Sequence, residues 1–156
     1  MMTIDEIMTR DPITLEKKSS LEEASELMKS RRIRQVPGVE QERKLVGWLT
    51  QRDLLAATAK DGKKLKVGDV MRTKVQSINQ DTDLRSAALR MQKDKIGCLP
   101  VLRDDRVIGI ITDSDYVGLA INLLEQLESM EPPEFDDDLY DLEDADGIYV
   151  DDDDDF

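Results

Sequence analysis

Gly47-Trp48-Leu49-Thr50-Gln51-Arg52-Asp53 and Gly109-Ile110-Ile111-Thr112-Asp113-Ser114-Asp115 spell one pattern, G-x-x-T-x-x-D, twice in the same chain. A pattern that recurs at a fixed period has to be followed outward before any fold is chosen, because it changes which folds are possible. Upstream, Ile33 with Val36-Pro37 lies over Ile96 with Leu99-Pro100, Met28 over Met91, and Leu21 and Ala24 over Leu84 and Ala87. Ile13-Thr14-Leu15 lies over Gln76-Ser77-Ile78, and Ile7-Met8-Thr9 over Val70-Met71 with Thr73 close behind. One extra residue in the first loop accounts for the small change of offset between the two ends.

Within each copy the local signals come in one order. Ile13 to Leu15 reads as a short β segment. Ser20-x-x-Glu23 is a capping-box pattern opening a helix whose Leu21, Ala24, Leu27 and Met28 share one face. Arg34–Val39 and Lys44–Thr50 read as strands around the polar turn Glu40-Gln41-Glu42-Arg43, and Asp53 begins a second helix. The second copy repeats this through Gln76–Ile78, Asp83–Lys93, Gly97–Leu102, Arg106–Thr112 and Asp115 to about Leu127. The expected fold is α/β: two β-α-β-β-α repeats, at 1–59 and 67–130, joined by a linker at 60–66. A unit this small buries too little surface to stand alone, so the two pack sheet to sheet with pseudo-two-fold symmetry and two related clefts.

Charge separates the remainder. The 156 residues carry 35 acids and 22 bases, but 14 of the acids lie in 131–156, which has no Lys or Arg. Residues 1–130 are therefore close to neutral, and the tail is expected to be disordered, since dense carboxylates with scattered aromatics bury too little to offset chain entropy. Its run Leu142–Gly147 has only part of the pattern of a calcium loop, and no metal site is assigned.

The chain has one cysteine, Cys98, and no histidine. A lone cysteine forms no disulfide within the chain and fits a reducing compartment; Cys98 reads as a small buried apolar residue. Without histidine the commonest general base and transition-metal ligand are gone. No glycine-rich phosphate loop or activated nucleophile takes its place, so an enzyme is not expected. Neither a leader nor a run of about 18 apolar residues is present, so a cytoplasmic protein off the membrane is expected. The near-neutral body beside an acidic tail argues against nucleic-acid binding.

The ordered pattern I/V-M, a short strand, a helix, I-x-x-h-P and then G-x-x-T-x-x-D, present twice, resembles the CBS domain in its tandem-pair form, over about residues 1 to 127. The resemblance implies a regulatory module that binds AMP, ADP, ATP or S-adenosylmethionine between its repeats, needs no cofactor, and assembles as a homodimer. It places the ribose and phosphate on Thr50 and Asp53 in one cleft, and on Thr112 and Asp115 in the other. The base would lie near Thr9, Ile13, Ile33 and Arg34 in one cleft and near Thr73, Gln76, Ile96 and Gly97 in the other. Each cleft draws on both repeats, so the first repeat's base-binding residues should face Thr112 and Asp115. Ile110 and Trp48 fall at matching strand positions beside the two clefts; Trp48 either packs in the core, narrows its cleft or stacks on a base.

Simpler readings stand beside these. Asp53 and Asp115 can serve as helix N-caps with no ligand. Arg31, Arg32, Arg34 and Arg52 can be solvated charges, or guanidinium partners that draw the more phosphorylated ligand to the cleft of Arg34. The alternative function is a ligand-free scaffold whose acidic tail binds a basic protein partner.

Overall fold

The computed structural model describes residues 1–61 and 64–130. In chain order the elements are a 3-10 turn (Ile4–Glu6), β1 (Thr9–Arg10), β2 (Leu15–Glu16), α1 (Leu21–Arg31), β3 (Gln35–Glu40), a 3-10 turn (Gln41–Arg43), β4 (Lys44–Thr50) and α2 (Gln51–Asp61). Then follow α3 (Val67–Val70), β5 (Ile78–Asn79), α4 (Leu84–Asp94), β6 (Cys98–Arg103), β7 (Arg106–Thr112) and α5 (Asp113–Ser129). Met1–Ile121 form one compact unit. A second begins at Asn122; its described part exposes Leu123, Leu124, Leu127 and Met130. The acidic stretch 131–156, with the run Leu142–Gly147, lies outside the described residues, as do residues 62 and 63 of the expected linker.

The sheet runs β2-β3-β4-β7-β6-β5, an order that reads the same from either end once the repeats are exchanged. β3 pairs antiparallel with β4 from Gln35↔Thr50 to Glu40↔Lys44, and β6 with β7 from Cys98↔Thr112 to Arg103↔Arg106. The register shifts after Gly38 in one ladder and after Val101 in the other, which are equivalent positions. The two half-sheets meet at one pair, Lys44↔Arg106.

Local chemistry sets the element ends. Ser20 Oγ accepts the Glu23 N–H at 3.1 Å and Asp83 Oδ2 accepts the Ser86 N–H at 2.9 Å, capping α1 and α4. Both helices close on a left-handed residue, Arg32 at φ 54° and Lys95 at φ 53°. The Ile33 N–H then returns to the Met28 carbonyl and the Ile96 N–H to that of Met91, which turns Ile33 and Ile96 back toward the sheet. The short strands differ from expectation: they begin at Leu15 and Ile78, and not at Ile13 and Gln76. Each is set by two parallel pairings, Leu15↔Gly38 with Glu16↔Val39 and Ile78↔Val101 with Asn79↔Leu102.

The cores are exchanged between repeats. One cluster holds Leu15, Leu21, Ala24, Met28, Val36, Leu49 and Leu54 together with Val67 from the start of the second repeat. The other holds Ile78, Leu84, Ala87, Met91, Leu99, Val101 and Ile111 together with Ile4 and Met8 from the start of the first. Matching backbone bonds hold the exchanged segments: Ile4 N–H to Thr82 O at 2.9 Å and Val67 N–H to Ser19 O at 2.8 Å. The repeats are thus fastened by swapping their first residues.

This exchange explains the glycine of the repeated motif. A Cβ on Gly109 would meet Met8 Sδ at 2.5 Å and the Thr9 carbonyl at 3.0 Å, and one on Gly47 would meet Met71 Sδ at 2.3 Å. Gly38, on which a Cβ would meet the same Met71 sulfur at 2.6 Å, is bare for the same reason. Gly109→Ala is expected to destabilise the fold by about 1–3 kcal/mol, because the methionine can move but the backbone carbonyl of Thr9 cannot move freely. Urea unfolding checks this; a loss below about 0.5 kcal/mol would show that Met8 gives way at little cost.

Candidate ligand-binding clefts

α2 and α5 begin at Gln51 and Asp113, two residues before the expected starts. Asp53 and Asp115 therefore stand in the first helical turn and are not N-caps. The capping position belongs to the threonines: Thr50 Oγ1 accepts the Asp53 N–H at 3.1 Å, and Thr112 Oγ1 accepts that of Asp115 at 3.3 Å. Asp115 completes a reciprocal box, its Oδ2 accepting the Thr112 N–H at 2.9 Å and the Thr112 hydroxyl at 3.1 Å. Its other oxygen takes the Thr9 hydroxyl at 3.3 Å. The swapped segment makes this reach possible, since β1 runs antiparallel to β7 with Thr9 opposite Ile110. Thr9 of the first repeat thus meets Asp115 of the second, which in turn holds Thr112.

Beside this constellation lies an open cavity of about 390 Å³, lined by Ile33 and Arg34 from one repeat and Gly97, Ile110, Thr112 and Ser114 from the other, among others. Thr9 and Asp115 do not line it themselves; each is one partner away, Thr9 paired across the ladder with Ile110 and Asp115 bonded to Thr112. Ile13 is half-buried and does not line it. Gly97, expected in the other cleft, lines this one; its carbonyl accepts the Asp113 N–H at 3.0 Å. A side chain at Gly97 would meet the Asp113 carboxylate at 2.9 Å.

The second cavity, of about 230 Å³, is lined by Trp48, Arg72, Lys74, Gln76 and Ile96, among others. Gln35 and Cys98 line both cavities and form the wall between them. Thr73 lines neither, and the residue in its expected place is Arg72. The strict offset that sets Met8 over Met71 sets Thr9 over Arg72, and the backbone agrees: Trp48 N–H bonds to Arg72 O at 2.8 Å and Arg72 N–H to Trp48 O at 2.9 Å. Where Asp115 takes a hydroxyl, Asp53 takes a guanidinium, with Arg72 Nε 3.0 Å from Oδ2. That guanidinium holds the Asp53 carboxyl below the usual carboxylate range. Thr73, one place further on, matches Thr9 by residue type, but the position equivalent to Thr9 by count is Arg72.

Of the three readings open for Trp48, the core is set aside. Trp48 is half-buried on the cavity wall, outside both core clusters, with Nε1 donating to Gln35 Oε1 at 3.0 Å. Arg52 stands exposed in the first turn of α2, next to Asp53 in sequence, and lines neither cavity. A larger open depression of about 870 Å³ at Glu16–Ser19, Glu23 and Glu40–Gln41 gathers none of the repeated motif residues.

The family model of the CBS domain matches residues 4–60 and again residues 67–121. The chain belongs to the CBS domain family. This CBS pair is 46% identical to the Vibrio cholerae protein AcuB, designated for acetoin utilization, over 85% of this chain and 99% of that one, with a TM-score of 0.76. It is 29% identical to a CBS domain pair solved with 5'-methylthioadenosine and S-adenosyl-L-methionine, covering 79% of this chain and 98% of that one at a TM-score of 0.67. It is 26% identical to CBSX2, known from Arabidopsis thaliana and solved with AMP, covering 80% and 99% at a TM-score of 0.71. Among curated relatives it spans 59% of one and 24% of another, a homoserine O-acetyltransferase of Methanocorpusculum labreanum. CBS pairs are in general regulatory modules, and here the match covers a minor part of an enzyme.

At the wall of this CBS pair, Cys98 is half-buried, where a buried apolar residue was expected. Desolvation, aided by Asp115 and Asp113, pushes its thiol up to about 11. The thiolate is the reactive form, so alkylation by iodoacetamide at pH 7 should run far slower than for a free cysteine and rise steeply only toward pH 11. A rate at pH 7 equal to that of glutathione would contradict this. No described helix is long and apolar enough to cross a membrane.

Proposed function

We propose that this CBS pair is a non-catalytic regulatory module that takes an adenosine-containing ligand, AMP, ADP, ATP or S-adenosylmethionine, in one or both clefts. Occupancy would change its affinity for a partner or a second copy by binding the two arrangements unequally. One observation carries the reading: Thr9 of one repeat and Thr112 of the other converge on a single carboxylate, Asp115, beside a cavity of about 390 Å³. A carboxylate can accept both hydroxyls of a ribose, and the cavity is within the size of ordinary small-molecule sites. Pairs of similar fold have been solved with AMP and with S-adenosyl-L-methionine. A homodimer in the cytoplasm fits the same reading; the equivalent residues Leu55 and Val117 are both more than half exposed.

Thermal unfolding against AMP, ADP, ATP and S-adenosylmethionine tests it. A ligand at about 100 times its Kd stabilises the fold by about 2.7 kcal/mol, a rise of several degrees in Tm. No shift with any of the four would remove the proposal.

A further inference from the structure

We infer that Arg72 makes the second cleft selective for phosphorylated ligands, with the Arg72–Asp53 pair acting as a plug that an uncharged or cationic adenosine compound displaces poorly. This rests on the regulatory reading above and assigns the second cleft its ligand class. The two clefts are related by the repeat, yet their polar groups differ. In the first, the carboxylate of Asp115 is met by the hydroxyl of Thr9, a neutral donor that a ribose hydroxyl can replace like for like. In the second, the same place is held by a guanidinium, 3.0 Å from Asp53 through Nε and 3.5 Å through Nη2. A ribose that claims Asp53 must strip this charged donor from it.

The exchange is favourable only if the ligand gives the guanidinium a new anionic partner. Phosphate oxygens do so with bidentate geometry, and Lys74 on the same wall adds a second cation. Among the described residues that line this cavity none is acidic, so nothing else there competes for Arg72 or welcomes a sulfonium. Arg72 has room to change partners, because its side chain is 64% exposed while its backbone is fixed by two hydrogen bonds to Trp48. On this inference the more phosphorylated ligand goes to the second cleft and not to that of Arg34: the lining of that cleft holds Asp113 as well as Arg34, while the second has Arg72 and Lys74.

Trp48 is the single tryptophan of the chain and lies on this wall, so its emission, excited at 295 nm, reports the second cleft directly; the same titration in Asp115→Ala separates any response that reaches it from the first cleft through Gln35. The full chain is titrated with adenosine, AMP, ATP and S-adenosylmethionine, following Trp48 emission and Tm in parallel. AMP and ATP should change the emission at concentrations at least tenfold lower than adenosine, with S-adenosylmethionine weaker still. In Arg72→Thr, which copies Thr9, adenosine and AMP should come within about threefold of each other; Arg72→Gln provides the same comparison if the first variant folds poorly. Equal responses to adenosine and AMP in the natural protein, or an unchanged ratio in both variants, would overturn the inference. So would a rise in Tm with AMP while Trp48 stays silent, which would leave the first cleft as the site and the regulatory reading intact. Silence in both readouts would remove the regulatory reading and this inference with it.

Discussion

Asp115→Ala is expected to weaken adenosine-ligand binding at the first cleft by about ten- to a hundredfold while leaving the second cleft unchanged. The carboxylate has two duties there. Oδ2 holds the start of α5 through the Thr112 N–H and hydroxyl, and Oδ1 offers its lone pairs toward Thr9. A ribose would compete only for the second duty, replacing one long hydrogen bond from the Thr9 hydroxyl by two from its own hydroxyls to the same charged acceptor. Such bonds contribute about 1.5–3 kcal/mol each, and 1.4 kcal/mol is a factor of ten, so losing the acceptor sets the size of the effect. The variant also loses the Asp115 half of the capping box, at a cost to the fold of about 1 kcal/mol, while Thr112 remains as the cap. Asp115→Asn separates the two effects: its amide oxygen can still receive the Thr112 N–H, so stability should recover more fully than affinity. Calorimetric titration at fixed salt measures both variants. An affinity for Asp115→Ala within threefold of the natural protein would mean that ribose binds elsewhere.

The residues that escaped the sequence are those whose role depends on which repeat they serve. β4 and β7 could be read to their ends because each is bounded by a tight polar turn on one side and by a helix-capping threonine on the other. β2 and β5 could not, since two residues carry no periodicity and their pairing with β3 and β6 is a long-range choice. Taking aspartate as the stronger cap moved the helix starts from Gln51 and Asp113 to Asp53 and Asp115, although threonine caps as well when the third residue answers it. Aligning by similarity put Thr73 opposite Thr9, whereas aligning by count puts Arg72 there. That difference turns two matching clefts into two unlike ones. Gly97 was misplaced for a related reason: Gln35 and Cys98 line both cavities, so neighbours in sequence divide between clefts. The spacing of Ile4 and Val67 shows that they are equivalent, but it does not say that each enters the other repeat's core.

That exchange supports the second large effect, on stability. Ile4→Ala is expected to cost about 2–5 kcal/mol, as large as a substitution at the centre of a core, although the residue is fourth in the chain. Terminal residues usually fray at little cost, because few contacts hold them. Ile4 is fully buried among Ile78, Leu84, Met91 and their neighbours, and its N–H is bonded to the Thr82 carbonyl. Deleting its branched chain leaves a cavity inside the second repeat's cluster and loosens the segment that carries Met8 over Gly109 and Thr9 to Asp115. Ile4→Val keeps most of that volume and should cost only about 0.5–1.5 kcal/mol. Urea unfolding gives the energies, and a ligand titration of Ile4→Ala should show the first cleft weakened with the Trp48 response of the second retained. A cost below about 1 kcal/mol would mean that the first repeat's leading segment is not anchored in the second repeat's core. The first cleft, which depends on that segment for Thr9, would then have to form in some other way.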